Sequence, residues 1–600
     1  MTASRSVRIG GAAGYWGDST QAPRQLVENG NVDYLVFDYL AEVTMSVLVR
    51  AKAADPTKGY AADFVHLVMK PLLPDLKARG IRIVVNAGGV NVTACAEALR
   101  KVAADLGIPL RIGTVEGDDL LGRVDALRSR DIREMFSGAP LPRELTSANA
   151  YLGAFPIAAA LSGGAEVVIT GRCVDSALTL GVLIHEFGWQ PEAFDQLAAG
   201  TLAGHILECG AQATGGNFTD WQDSVSGWDN MGYPIAECFD DGRFVISKPE
   251  GTGGIVSRLS VGEQILYETG DTRAYIVPDV ICDYSEAVLE QSAPGEVSIT
   301  GVKGRAPTHT FKVSATYRDG YRASAMTLVT GFDAVAKVRH YSDALLRRVR
   351  RLLAERGMAD FDRTAVHVIG AETLWGENAS AHAAEAREVV VQIDVRHQEK
   401  AAIELFSKET TGVALSMTTG RCGVGEAGRP KATPVVAQFA FLLDKSEVVP
   451  VVSVDGLSLG FVSPHQPHAP APPPSAPPKA AVCDRPRSTR RLIDIAVARS
   501  GDKGNSANVG LMARKPEFYE VLCREVTPQK VAAWFGHVTK GEVSCYGAPG
   551  MGAVNFVLRE TLDGGGTSSL HLDKLAKTYG QQLLAMPVEV PTALLDENIS

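Results

Sequence analysis

The sequence predicts an α/β protein in four parts. These are an N-terminal domain on a parallel sheet, an α+β second lobe, a Pro-rich linker and a small C-terminal α+β domain. Three observations carry this. Short apolar runs alternate with amphipathic helical stretches near the N-terminus, the grammar of a parallel sheet covered on both faces. Between Gly251 and Leu459 alternating strands mix with helices. SPHQPHAPAPPPSAPPKAA (Ser463–Ala481) is dominated by Pro and Ala and cannot build a core.

Taken in order, VRIG (Val7–Gly10) is the first strand, and a glycine-rich loop follows. A helix then runs to Gly30, with Pro23 tolerated in its first turn. YLVFD (Tyr34–Asp38), IRIVVNAGG (Ile81–Gly89) and PLRIGTVEGDD (Pro109–Asp119) read as further strands. So does EVVITGRCVDSA (Glu166–Ala177), whose helix carries Leu180, Leu183, Ile184 and Phe187 on one face. Leu99, Val102 and Leu106 mark another helix. HTFKVSATY (His309–Tyr317) and REVVVQIDV (Arg387–Val395) are the alternating strands of the second lobe, with helices near Tyr341–Arg356 and Gln398–Ser407. The expected domains are 5–460, with a sub-boundary near 250, a linker over 463–490 and a tail over 491–600. In the tail, Leu492–Arg514 gives two strands around a Gly/Asp/Asn loop, two short helices follow, and Glu542–Leu562 gives strand, turn, strand. With Leu570–Leu584 read as a helix, the tail suits a ferredoxin-like sandwich.

The chain has 600 residues, a formal net charge of −10, and no sustained Lys/Arg run, which argues against nucleic acid as a partner. No stretch is apolar for long enough to span a membrane, and the first residues lack the apolar core of a secretory signal. The nine cysteines are scattered singly with no CxxC, so reduced thiols in a cytoplasmic protein are expected. A homo-oligomer is the expected assembly.

In an open parallel sheet, ligands bind beyond the carboxyl ends of the strands. Five polar loops fall there: GGAAGYWGDS (Gly10–Ser19), DYLAE (Asp38–Glu42), NAGGVN (Asn86–Asn91), EGDD (Glu116–Asp119) and GRCVDS (Gly171–Ser176). Each alone could be a turn with a helix cap; together they predict one cleft. Asp38, Asp118 and Asp175 could act as acid or base, with Asp38 or Asp118 the preferred base. Asn86 or Arg172 could hold a substrate oxygen. Gly11, Gly14, Gly17, Asp18, Ser19, Gly88 and Gly89 would cradle phosphate or carboxylate at helix starts. In the tail, Lys503 of ARSGDKGNSANVG (Ala498–Gly510) could reach a phosphate or a carbonyl, and the bland alternative is a solvated hairpin. His205 reads as a packed histidine, and Cys173 and Cys209 as inert buried thiols. Clustered acids are compatible with Mg²⁺, but no spacing singles out a metal set.

Three motif matches fail on context. GLSLG (Gly456–Gly460) is not followed by a helix, GVGEAG (Gly423–Gly428) runs into Arg429-Pro430, and HEFGW at His185 lacks a second histidine. The combination RIGGAAGYWGDS, DYLVFDYLAEVTMS, NAGGVN, ITGRCVDSALTLG, ATGGNFTDW and ARSGDKGNSANVG resembles the acyclic terpene utilisation family AtuA over nearly the whole chain. The resemblance implies a large N-terminal domain with a ferredoxin-fold companion. It also implies work on branched, isoprenoid-like acyl-CoA thioesters in citronellol, geraniol or leucine breakdown, beside biotin-dependent carboxylases. It carries over no catalytic residue set. The expected function is hydratase or lyase chemistry on a CoA thioester. Alternatives are an accessory partner of such a carboxylase, or a thioester or amide hydrolase.

Overall fold

The computed structural model describes residues 5–424, 428–479 and 486–595. The centre of the GVGEAG match, the end of the Pro-rich stretch and the last five residues therefore lie outside the described residues.

The parallel sheet forms as the apolar runs predict. Strands β1 (Ser6–Ala13), β2 (Tyr34–Phe37), β3 (Arg82–Val85), β4 (Ile112–Glu116) and β6 (Val167–Thr170) lie side by side in the order β1-β2-β3-β6-β4, all parallel. The short strand β5 (Ser147–Ala150) leaves this sheet and pairs in the second lobe. Side chains alternate between two covered faces, which explains why these runs are mostly apolar. Leu35, Phe37, Ile83, Val85, Val167 and Ile169 face helices Gln21–Asn29, Lys70–Arg79 and Val92–Asp105. Tyr34, Val36, Val84 and Val168 face the opposite layer, with helices Phe155–Ser162, Ala177–Phe187 and Phe194–Leu207.

The sheet does not stop near residue 250. Strands Ile235–Phe239, Phe244–Ser247, Glu296–Thr300 and Val288–Ala293 extend it antiparallel beyond β1, and Val451–Val454 returns to close the far edge on β4. The second lobe centres on a single 21-residue strand, Thr310–Thr330. Thr433–Asp444 pairs with its first half and Glu388–His397 with its second. Helices Ala334–Glu355 and Lys400–Gly412 cover it, longer than the two patterns that predict them.

The tail holds a four-stranded antiparallel sheet in the spatial order Ala496–Lys503, Ser506–Ala513, Ala553–Leu558, Val543–Ala548. Two differences from expectation have clear causes. First, only Tyr579–Leu583 of the expected helix Leu570–Leu584 is helical. The Asp573 carboxylate captures the amides of Leu575, Lys577 and Thr578 at 3.2, 3.0 and 2.8 Å, an alternative to helical bonding that Asp side chains offer readily. Second, one covering layer of the tail sheet comes from elsewhere in the chain. Helices Tyr519–Glu525 and Pro528–Trp534 cover one face, while helix Arg258–Leu266 of the N-terminal part covers the other. Gly510 and Gly501 make the close approach possible, because a Cβ there would lie 2.4 Å from Leu266 and 2.6 Å from Tyr267. Fully buried Asn555 locks the joint: its Nδ2 donates to the carbonyls of Thr269 and Gly270 at 2.6 and 2.7 Å.

The Pro-rich stretch is a strap. Gln466 Nε2 donates to the carbonyls of Pro191 and Asp279 at 2.8 and 3.0 Å. The Ala469 amide donates to Pro307, and the Ser475 amide to Asp271. Among the described residues no helix is long and apolar enough to cross a membrane.

Candidate functional site

Because the five strands are parallel, their carboxyl ends share one edge, and four expected side chains meet there. Asp38 follows β2, Asn86 follows β3, and Arg172 and Asp175 follow β6. Asn86 is fully buried and fixed at both ends: its Nδ2 donates to Asp38 Oδ1 at 2.5 Å, and its Oδ1 accepts the Tyr39 amide at 2.7 Å. Asn86 therefore aims Asp38. The Arg172 guanidinium donates to Asp175 Oδ1 at 2.5 Å and to the Cys173 carbonyl at 3.0 Å, and lies 4.0 Å from the centre of the Tyr151 ring. Burial, followed by the charge of Asp175, pushes the Asp38 carboxyl well above the usual carboxylate range, although Arg172 pulls the other way.

Asp118 sits behind this group. Its Oδ2 accepts the Arg172 amide at 2.9 Å and Asn149 Nδ2 at 2.8 Å, and burial raises its pKa to about 7. A Cβ at Gly171 would lie 2.3 Å from Asp118 Oδ1, so the turn that presents Arg172 needs glycine at this position. Asp118 braces that turn, and of the two carboxyls preferred as base it is Asp38 that lies beside Asp175 and Arg172.

The opening loop spends its anion-binding capacity on itself. Asp18 Oδ2 accepts the Gly14 amide at 2.8 Å; Oδ1 accepts the Ser19 amide at 2.7 Å and the Tyr233 hydroxyl at 2.6 Å. A carboxylate of the chain thus occupies the place a phosphate would take. Gly11 and Gly14 admit neighbouring backbone: a Cβ would lie 2.6 Å from the Leu207 carbonyl oxygen and 2.8 Å from the Cys209 carbonyl carbon. Gly88 and Gly89 are equally crowded, against Thr170 and Leu48. The exposed Ser19 accepts the Gln21 amide at 3.3 Å. Gly17, Asp18 and Ser19 line a recess of ~130 Å³ that also holds Asp63, an acidic lining that repels phosphate.

The tail reaches the edge where Asp38 lies. Lys503, the last residue before the tight turn of hairpin Ala496–Ala513, has its Nζ 3.0 Å from Glu268 Oε2. Burial works against its charge, but Glu268 and Asp175 outweigh this and hold its pKa well above the ordinary value. Lys577 flanks the pair, with its Nζ 3.4 Å from Glu268 and 3.2 Å from Asp502. The Lys503 and Glu268 side chains keep 49% and 25% of their surface open, and Asp175, 29% open, lies within electrostatic reach of Lys503.

Sequence reasoning missed part of this site. His205 and Glu208 end helix Phe194–Leu207, with His205 Nδ1 2.9 Å from Glu208 Oε1. Tyr275 lies beside His205, ring centres 5.5 Å apart. The one available signal was the i, i+3 spacing of His and Glu on a helix. The Glu268–Lys503 pair spans 235 positions and has no local signal. Burial raises the Cys173 thiol to about 12 and Cys209 above its ordinary value, so neither is a ready thiolate. Among the described residues no group of three or more His, Cys, Asp or Glu is poised for a metal ion.

Fold and site together define a doubly wound α/β protein whose tail domain packs on helix Arg258–Leu266 and brings Lys503 to Glu268. The family comparison gives this a name. The model of the acyclic terpene utilisation family protein AtuA matches residues 7–454, and that of the AtuA ferredoxin-like domain matches 490–589. The chain belongs to the AtuA family, and its tail is the family's ferredoxin-like domain. No curated protein and no solved structure matches it.

Proposed function

We propose that this chain is a catabolic enzyme acting on an acyclic terpenoid or branched-chain acyl-CoA thioester through acid–base chemistry of the hydratase or lyase type. The observation that carries this reading is Asp38: a buried carboxyl with a raised proton affinity, aimed by Asn86 and set beside the Arg172–Asp175 pair. Such a group suits proton transfer at the carbon next to a thioester carbonyl. Arg172 and Lys503 supply positive charge for the carbonyl oxygen as negative charge develops there. The family's part in acyclic terpene utilisation supports a catabolic role.

The opening loop is a poor place for the phosphates of CoA, since Asp18 takes its amides. In the alternative reading, as a docking partner of a biotin-dependent carboxylase, the partner would bind elsewhere than the tail-sheet face that helix Arg258–Leu266 covers. To test the proposal, the purified full chain is mixed with branched 3-hydroxyacyl-CoA and 2-enoyl-CoA thioesters, and interconversion is followed by ultraviolet absorbance. Turnover is expected, and Asp38→Asn lowers it ~100-fold or more while leaving thermal unfolding unchanged. An inert wild-type protein across the panel would count against the reading.

A further inference from the structure

A second proton-carrying group lies next to Asp38 and Asp175. His205 is 1% exposed, and each of its ring nitrogens faces an oxygen: Nδ1 is 2.9 Å from Glu208 Oε1, and Nε2 is 3.3 Å from the Ile265 carbonyl. A neutral imidazole donates from only one nitrogen. Two acceptors therefore call for a second proton, held either on the ring or on Glu208. The other carboxylate oxygen, Glu208 Oε2, is buried and has no hydrogen-bond partner within the protein. Leaving such an atom unpaired is costly, and native structures rarely do so without a functional reason. Glu208 stands one turn beyond Gly204, where a Cβ would lie 2.6 Å from the carbonyl oxygen of Ser176, the neighbour of Asp175, and it is within electrostatic reach of Asp38, Asp175 and Lys503.

We propose that Glu208 is the second catalytic residue of this site, with His205 as its positioning residue, and that the substrate class is a branched 3-hydroxyacyl-CoA. This rests on the acyl-CoA reading above and extends it. Asp38, as carboxylate, takes the proton from the carbon next to the thioester carbonyl. The C–H electron pair becomes the new C=C bond. The C–O bond at the next carbon breaks, and its pair leaves with the oxygen, which takes a proton from the Glu208–His205 pair and departs as water. Asp38 ends protonated, the pair ends one proton poorer, and solvent restores both. Hydration is the same sequence reversed.

The experiment uses two probes on the full-length protein. A saturated branched acyl-CoA has no hydroxyl, so exchange of its α-hydrogens with D₂O, read by NMR, needs Asp38 alone. Loss of water from the 3-hydroxyacyl-CoA needs both groups. Glu208→Gln should lose elimination ~100-fold or more and lower exchange by far less than that, while Asp38→Asn loses both alike. Should E208Q not fold, Glu208→Asp, with a carboxyl one methylene shorter, is expected to show the same split in weaker form. Elimination at the wild-type rate in these variants, or equal loss of exchange and elimination, would overturn the inference while leaving the acyl-CoA reading in place. Wild-type exchange without elimination overturns it as well. Wild-type protein that performs neither reaction overturns the parent reading too.

Discussion

Two glycine-rich loops look alike in the sequence and behave differently in the fold. GGAAGYWGDS and SGDKGNS both set Gly and Asp beside small polar residues at strand ends. In the first, Asp18 satisfies the loop's own amides and ties it to Tyr233, so the loop is closed on itself. In the second, the hairpin extends Lys503 to Glu268, within electrostatic reach of Asp175. Glycine content reports that backbone must turn or pass closely; the charged side chain next to it, and what that side chain reaches, decides whether the loop serves a ligand.

The largest expected contrast follows directly. Lys503→Met removes a cation from the proposed site and should lower kcat/KM for the thioester ~100-fold, the scale of a lost oxyanion donor. Asp18→Asn should leave the rate nearly unchanged and instead lower stability by about 1–3 kcal/mol, since it weakens the partner of two amides and a hydroxyl. Steady-state kinetics and urea unfolding on the two variants read both effects. The reverse pattern, a rate loss in Asp18→Asn alone, would break the comparison.

Asp118 behind the strand ends and Glu268 beside Lys503 also differ in the sign of their pH response. Burial raises Asp118 to about 7, so its folded state holds a proton that the unfolded chain releases near pH 4. Its contribution is full below pH ~4 and is lost as pH rises through 7, a loss of at most ~4 kcal/mol. Burial disfavours the Glu268 carboxylate, but Lys503 and Lys577 overcome this and lower its pKa to about 2. Its contribution is therefore present above pH ~4.5 and is lost as pH falls towards 2. Urea unfolding between pH 3 and pH 8 should show Asp118→Asn flattening the alkaline side of the profile and Glu268→Gln the acid side. If both variants flatten the same side, the assignment of opposite signs is wrong.

The sheet and its rim were legible because apolar runs such as YLVF and VVIT must be buried on both faces, and a parallel sheet then gathers whatever ends them. Asp38, Asn86, Arg172 and Asp175 lie together at that rim for this reason. The rest depends on contacts that no local pattern encodes. Lys503 reads equally well as a solvated turn residue until helix Arg258–Leu266 is seen to pack on its sheet. His205 looks like a core histidine because it is one; the role proposed for it follows from Glu208, three residues on, whose second oxygen is left unpaired. The expected helix Leu570–Leu584 failed for the converse reason: a strong local competitor, Asp573, was present in the sequence and outweighed the apolar period.

The smallest effect separates the two loops by what their glycines do. Gly14 has crowded surroundings, and a Cβ would meet the Cys209 backbone at 2.8 Å, so Gly14→Ala should cost about 1–3 kcal/mol through displaced backbone. Gly504 begins the two-residue turn after Lys503 with φ +62°, and a Cβ there would meet nothing within 4 Å. Only the left-handed conformation penalises a side chain, which puts Gly504→Ala near ~1 kcal/mol. Gly504→Asn should cost less still, because Asn tolerates that conformation. Thermal unfolding of the three variants orders them Gly14→Ala, Gly504→Ala, Gly504→Asn. A Gly504→Asn variant as unstable as Gly14→Ala would mean that the Lys503 turn, too, is held by close packing, and that the distinction between a closed loop and a reaching one is false at the level of the backbone.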